Sequence, residues 1–297
     1  MPVPTAALGR TQLLVSRLGF GCSTIASLAT RYATAEVQAA LLEAMEQGVN
    51  FFDTADVYGQ GDSERLLGRL AAGRKLVICT KVGMRLAHSE HAIRWVKPLL
   101  QPLLRRYAAG RARTRALRRA SERQCFDPAY LTRRVDASLR RLRTERLDLL
   151  LLHSPPPEVA ERCDVLELLR RLVHQGKLRW FGVSVAELAH ARAWAAWPGL
   201  SCLQLPLTPI PCAAGFGLPP ETTALLAELD AQGIGLIARE IFGGGALAAD
   251  AASRIQALAA VLSAPGVAVA LAGMGNRAHL EDNLRALAQV AASFAPR

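Results

Sequence analysis

Four side chains have the types needed to deliver a proton to oxygen, and each stands where an apolar run gives way to polar residues. Asp53 and Tyr58 lie in Phe51-Phe52-Asp53-Thr54-Ala55-Asp56-Val57-Tyr58-Gly59, Lys81 in Cys79-Thr80-Lys81-Val82-Gly83, and His153 in Leu151-Leu152-His153-Ser154-Pro155. A carbonyl under reduction develops negative charge on oxygen and needs a proton. A tyrosine hydroxyl can supply it, although a free phenol titrates near ~10. A neighbouring ammonium favours the tyrosinate, so Lys81 is expected to lower that value, with Asp53 holding the lysine in place. His153 would hydrogen-bond the substrate oxygen and orient it. Taken singly, each residue has an ordinary use as a salt bridge, a helix cap or a packing ring. Their recurrence after three successive apolar runs is the specific signal.

For these residues to meet, the runs before them must be neighbouring strands. The chain alternates apolar runs with amphipathic stretches. Strands are predicted at Leu18–Gly21, Asn50–Asp53, Lys75–Thr80, Leu147–Leu152, Leu178–Val183, Ser201–Leu205, Gly235–Ala238 and Val267–Leu271. Helices are predicted at Thr34–Gln47, Ser63–Leu70, Asp127–Leu142, Val165–His174, Ala186–Trp197, Pro220–Gln232, Ala251–Leu262 and Arg277–Val290. Strict strand–helix alternation implies a parallel sheet, and eight units favour closure into an α/β, TIM-type (β/α)₈ barrel. The expected architecture is a single barrel domain over 1–297, opened by a short N-terminal hairpin that turns at Gly9. In such a barrel the strand ends form one mouth, where Asp53, Tyr58, Lys81 and His153 would converge.

One segment breaks the rhythm. Residues 83–125 separate the third strand from its helix and hold eleven Arg or Lys against two Glu, hence +9 of the chain's net +11. A long basic insertion after strand 3 is read as a lid or binding loop, or as a solvated helical insertion. Elsewhere the charges nearly balance, which argues for one local basic feature. Binding of nucleic acid would need aromatic residues among the arginines, and Tyr107 is thin support. Hydrophobic residues make up 51% and charged residues 21%, enough for a large core and too apolar for a disordered chain. No run is long enough to span a membrane, and Met1 to Leu8 do not read as a signal peptide. The six cysteines have no metal-ligand spacing, so no metal is expected and the compartment is read as reducing and cytoplasmic.

With those residues in view, the chain resembles the aldo-keto reductase family over nearly all of its length outside 83–125. The resemblance rests on Leu8-Gly9-Arg10-Thr11, Ser16-Arg17-Leu18-Gly19-Phe20-Gly21, Phe52-Asp53-Thr54-Ala55 with Tyr58-Gly59, and Thr80-Lys81. It continues through Ser138-Leu139-Arg140-Arg141-Leu142, Asp148 to His153, Gly182-Val183-Ser184, Gly273, and His279-Leu280-Glu281-Asp282-Asn283-Leu284. It implies an oxidoreductase acting on a small carbonyl, or on the alcohol in reverse. Tyr58 would be the acid, tuned by Lys81 and Asp53, and His153 would orient the carbonyl. It also implies a nicotinamide dinucleotide bound without a Rossmann glycine loop, NADPH preferred and NADH the alternative. No convincing GxGxxG opens the first βα turn.

The resemblance assigns Ser184 and Gln204 to the nicotinamide carboxamide and Gly243 and Gly244, in the run Gly243-Gly244-Gly245, to a loop near the pyrophosphate. Gly273, Met274, Asn276, Arg277, His279 and Asn283 would form the adenosine end. Four positions depart from the family pattern: Val185 stands where many members have asparagine, Arg239 where many have a stacking aromatic residue, and Gly273 and His279 where basic residues usually meet the 2′-phosphate. Arg239 is expected either to stack through its planar guanidinium or to pair with an acid such as Glu240. Longer members close the substrate pocket with a C-terminal tail, and residues 83–125 are expected to stand in for it. Their charge suggests an acidic substrate or a cofactor clamp. Trp95, Trp180 and Phe20 are further pocket candidates. The competing reading is a non-catalytic nucleotide-binding regulator. A monomer or small homo-oligomer is expected, with no membrane partner.

Overall fold

The computed structural model describes residues 2–25, 30, 32–86, 122–213 and 215–294. Strands β1 (Thr5–Ala7) and β2 (Leu14–Ser16) form an antiparallel hairpin, and β3 (Leu18–Gly21) begins the main sheet. Then come α1 (Thr34–Glu46), β4 (Phe51–Asp53), α2 (Asp62–Leu70) and β5 (Val77–Val82). The short strands β6 (Met84–Leu86) and β7 (Glu122–Gln124) pair antiparallel at the two ends of the basic insertion. Next are α3 (Pro128–Leu142), β8 (Leu147–His153), α4 (Cys163–His174), β9 (Leu178–Ser184), α5 (Ala191–Ala195) and β10 (Cys202–Pro206). A second small hairpin, β11 (Ile210–Cys212) and β12 (Gly215–Gly217), precedes α6 (Pro220–Ala231), β13 (Gly235–Arg239), α7 (Ala251–Leu262), β14 (Val267–Gly273) and α8 (Arg277–Phe294). The rest of the insertion, with Trp95, Tyr107 and most of its arginines, lies outside the described residues, as does any lid it would form.

Eight strands close into a parallel barrel in the order β3-β4-β5-β8-β9-β10-β13-β14, with β14 returning to β3. Strands buried on both faces need apolar residues throughout, which makes these runs legible in the sequence. Along β8 the alternation is clear: Leu149 and Leu151 join the inner core with Phe51, Cys79, Cys202, Ile237 and Val269, while Leu150 and Leu152 pack outward under the helices. The N-terminal hairpin closes the floor, where Leu8, Leu13 and Val15 complete the inner core. Ser16 and Asn50 tie it to the start of β4. Ser16 N–H donates to Asn50 Oδ1 (2.7 Å), and Ser16 Oγ accepts from Asn50 N (3.1 Å).

Helix starts follow their capping residues. Asp127 Oδ1 accepts from Tyr130 N (2.9 Å) before α3, and Asp250 Oδ1 accepts from Ser253 N (2.8 Å) before α7. The helix expected over Ala186–Trp197 is shorter: a turn at Leu188–His190 leads into α5. The carbonyls of Val185 and Ala186, which an earlier helix start would use, instead accept from Arg239 Nη2 (2.7 and 3.3 Å). The hairpin β11–β12 has no signature in the sequence, because three-residue strands around a proline and two glycines carry no period. All six cysteines are free thiols, with Cys22, Cys79 and Cys202 buried. Among the described residues no helix is long and apolar enough to cross a membrane, and no group of His, Cys, Asp and Glu could hold a metal ion.

Candidate active site

The four sequence-predicted residues meet at the mouth of the barrel. Asp53 ends β4, Lys81 lies near the end of β5 and His153 ends β8, three neighbouring strands. Lys81 Nζ donates to both carboxylate oxygens of Asp53 (2.7 and 2.7 Å) and to Thr54 O (2.9 Å), and reaches Tyr58 Oη at 3.5 Å. The Tyr58 ring meets the His153 ring edge-on at 5.8 Å between centroids. Asp53, Lys81 and His153 are buried and Tyr58 is half-buried, which makes Tyr58 the most accessible of the four. Burial alone works against the Lys81 ammonium. The Asp53 carboxylate, then Tyr58 and Cys79, outweigh it and hold the lysine above its ordinary range. Lys81 thus keeps its charge next to the phenol.

Tyr58 sits on a loop, and the loop is pinned. Thr54 N donates to Cys79 O (2.8 Å) and Asp56 N to Lys81 O (3.1 Å), extending the sheet beyond β4. Thr54 Oγ1 and Ser63 Oγ share a hydrogen bond (2.8 Å). From α3, Arg134 Nε donates to Asp56 Oδ2 (2.6 Å) and Arg141 Nε to Glu64 Oε2 (2.6 Å), while Thr80 Oγ1 donates to Glu64 Oε1 (2.6 Å). Two buried acids thereby tie the loop and α2 to α3.

Asp56 is fully buried, and its Oδ1 has no hydrogen-bond partner. Burial raises its carboxyl to about 7; Arg134 opposes the rise and Glu64 adds to it. A carboxyl raised on folding stabilises the fold in its protonated form. That contribution is complete below the unfolded value near ~4 and is lost as pH rises through about 7. Relative to Asp56→Asn, wild type should therefore lose up to about 4 kcal/mol between about pH 4 and about pH 7.5, at ~1.4 kcal/mol for each tenfold difference in proton affinity between the folded and unfolded chain. Urea unfolding of both proteins at the two pH values measures it, and a stability gap that does not move with pH would contradict the assignment.

Ser184 and Gln204 do not stand apart from the four. Ser184 Oγ donates to Gln204 Oε1 (2.7 Å), and Gln204 Nε2 donates to Asp53 Oδ1 (2.7 Å). A buried line of polar groups therefore runs Ser184–Gln204–Asp53–Lys81–Tyr58 across the ends of β9, β10, β4 and β5. No sequence pattern signals the Gln204–Asp53 link, since the two residues are 151 positions apart. Arg239 is paired with its neighbours. Its Nη1 donates to Glu240, and its Nη2 bridges to the carbonyls after β9.

Beside this cluster, over the ends of β13, β14 and β3, lies a cleft of about 640 Å³. Gly244 and Gly245 line it from the loop after β13, Gly273 from the end of β14, and His279 and Asn283 from α8. A Cβ on Gly244, Gly245 or Gly273 would meet nothing within 4 Å, so these backbones face open space. Other predicted cofactor residues lie off the cleft lining. A Cβ on Gly243 would come within 3.3 Å of Thr208, and the Met274 side chain is in the core. Asn276 caps α8, its Oδ1 accepting from His279 N (2.9 Å). Arg277 is 71% exposed and ion-paired with Glu43 (2.8 Å) and Glu281 (3.2 Å).

Tyr32 and Arg254 are among the cleft residues absent from the sequence-based set. The Tyr32 ring lies so close over Gly275 that a Cβ there would come within 2.2 Å of it, and Tyr32 Oη lies 3.3 Å from His279 Nδ1. The glycine at 275 is the available sign of that close approach. Arg254 has none, because it sits inside a regular helix.

Comparison with known proteins gives the same answer as the geometry. A model of the aldo/keto reductase family matches residues 17–258. The chain is 35% identical over 153 residues to pyridoxal 4-dehydrogenase of Microbacterium luteolum, a stretch that covers 50% of this chain and 42% of that enzyme. The chain thus spans less than half the length of that curated relative. Its fold is similar to the holo form of an aldo-keto reductase from Bacillus halodurans (TM-score 0.71, 21% identity, 96% of this chain and 91% of that one). It is also similar to an aldo/keto reductase from Klebsiella pneumoniae solved in complex with NADP and acetate (TM-score 0.65, 21% identity, 100% and 97%). The closed barrel with its floor hairpin, the residues at its mouth and a match running through most of the chain agree: this protein belongs to the aldo/keto reductase family.

Proposed function

We infer that the protein is an NAD(P)H-dependent oxidoreductase that reduces an aldehyde or ketone to the alcohol, or runs the reverse, with Tyr58 as the proton donor. One observation carries this reading: the Tyr58 hydroxyl stands 3.5 Å from an ammonium that Asp53 grips through both oxygens. The Lys81 charge makes loss of the phenolic proton easier, so Tyr58 can hold that proton and release it as charge builds on a carbonyl oxygen. His153, flanking the phenol, supplies the second contact to that oxygen and limits the directions from which a carbonyl can approach. Asp53 keeps Lys81 charged and fixed, and Gln204, itself held by Ser184, donates a further hydrogen bond to that carboxylate.

The cleft fits a dinucleotide. Its glycine-lined wall lets a phosphate approach backbone amides, and buried Asn283 suits a purine edge. Gly244, Gly273, His279 and Asn283 would hold the cofactor; when bound, the nicotinamide supplies the hydride. The Klebsiella structure with NADP supports this class of cofactor, with NADPH the preferred form in our reading. The free thiols support a reducing, cytoplasmic location.

Fluorescence titration with NADPH and NADH, paired with turnover of a broad aldehyde and ketone panel, tests the reading. Binding with turnover is the expected result. Binding without turnover of any carbonyl would favour a nucleotide-binding regulator, and absence of binding would remove the cofactor altogether.

A further inference from the structure

We propose that Arg254, on α7, is the residue that recognises the 2′-phosphate of NADPH and so sets the cofactor preference. The proposal rests on the cofactor reading above. The two positions expected to carry that charge on the last βα unit do not carry it in the ordinary way. Gly273 has no side chain and His279 offers an imidazole whose Nδ1 lies 3.3 Å from Tyr32 Oη, while the neighbouring Arg277 points outward into its pairs with Glu43 and Glu281. Among the described residues lining the cleft, Arg254 is the one arginine or lysine.

Its surroundings leave it able to take an anion. The side chain is 14% exposed, so its position is held by packing. Only Nη2 is engaged, donating to Ala248 O (2.7 Å) and lying 3.5 Å from Asp282 Oδ2. That leaves Nε and Nη1 as donors. Asp282 does not neutralise the site, because its Oδ1 is held by Arg285 Nη2 at 2.8 Å. Two arginines share one carboxylate, and the group stays at net +1. Among the described residues lining the cleft the one acid, Glu240, is likewise paired, with Arg239. A planar guanidinium with two unused donors and an uncompensated charge suits a phosphate monoester better than a ribose hydroxyl, for which a free carboxylate would serve.

The test compares wild type with Arg254→Gln and Arg254→Lys, titrated by fluorescence with NADPH and NADH, at a pH well above the ordinary histidine range so that His279 adds no charge. In Arg254→Gln, affinity for NADPH should fall about ten- to hundredfold, the usual worth of a charge-assisted hydrogen bond, while affinity for NADH stays within about twofold. Arg254→Lys should recover part of the NADPH affinity. Unchanged NADH binding also reports that the variant is folded. Equal weakening of both dinucleotides, or of neither, overturns the proposal and leaves the cofactor reading standing. Wild type that binds neither dinucleotide overturns both. A measurement needing no variant guards against misfolding: by calorimetry, wild type should bind 2′,5′-ADP at least about tenfold more tightly than 5′-ADP. Equal affinities overturn the assignment.

Discussion

Replacing Tyr58 with phenylalanine is expected to lower carbonyl turnover by about 10²- to 10⁴-fold, the range for loss of a positioned general acid, with NADPH affinity unchanged. The substitution removes one oxygen from a half-buried ring and leaves the ring's contact with His153 in place. Lys81 keeps both Asp53 oxygens and Thr54 O as acceptors, so no buried charge is stranded. The stability cost should therefore be no more than about 1 kcal/mol, the net worth of an ordinary hydrogen bond. Steady-state kinetics on the best substrate of the panel, with cofactor titration on the same preparation, separates the two effects. Turnover within about tenfold of wild type would mean that another group delivers the proton, and the assignment of Tyr58 would fail.

How much of this is legible in the sequence depends on where the interactions run. Barrel strands such as Leu147–His153 are apolar on both faces and announce themselves locally. The polar residue that ends each run marks the mouth, so Asp53, Lys81 and His153 can be placed together from the sequence alone. Helix limits are legible where a cap sits in the sequence, as at Asp127 and Asp250. They are hidden where a distant side chain claims the backbone, as Arg239 claims the carbonyls of Val185 and Ala186. The line Ser184–Gln204–Asp53 crosses the barrel and has no sequence pattern. Periodicity places Arg254 on a helix, but which face meets the cleft depends on how α7 packs beside β14 and α8. Arg277, expected from the sequence at the adenosine end of the cofactor site, is turned outward by Glu43 on α1, a residue far away in the chain.

The buried pair Lys81–Asp53 allows stability and activity to be pulled apart. Lys81→Met strands a carboxylate that is 5% exposed, and Asp53→Asn strands an ammonium that is 1% exposed. Each single variant should lose about 3–5 kcal/mol, as expected when one partner of a buried ion pair is removed. The double variant carries no charge there, and the amide oxygen introduced by Asp53→Asn would still accept from Gln204 Nε2. It should therefore be clearly more stable than the sum of the singles predicts, by about 1–3 kcal/mol of coupling between contacting residues. Turnover should follow a different rule. Without the ammonium, nothing favours release of the Tyr58 proton, so the double variant should be as slow as Lys81→Met alone. Urea unfolding and steady-state rates on the four proteins complete the cycle. Stability that recovers while turnover does not would separate the ion pair's two tasks, since any apolar filling can restore the fold but only a cation beside the phenol can assist the proton. Activity that recovered with stability would show that Lys81 matters by packing alone, and the proton-transfer reading of this site would have to be abandoned.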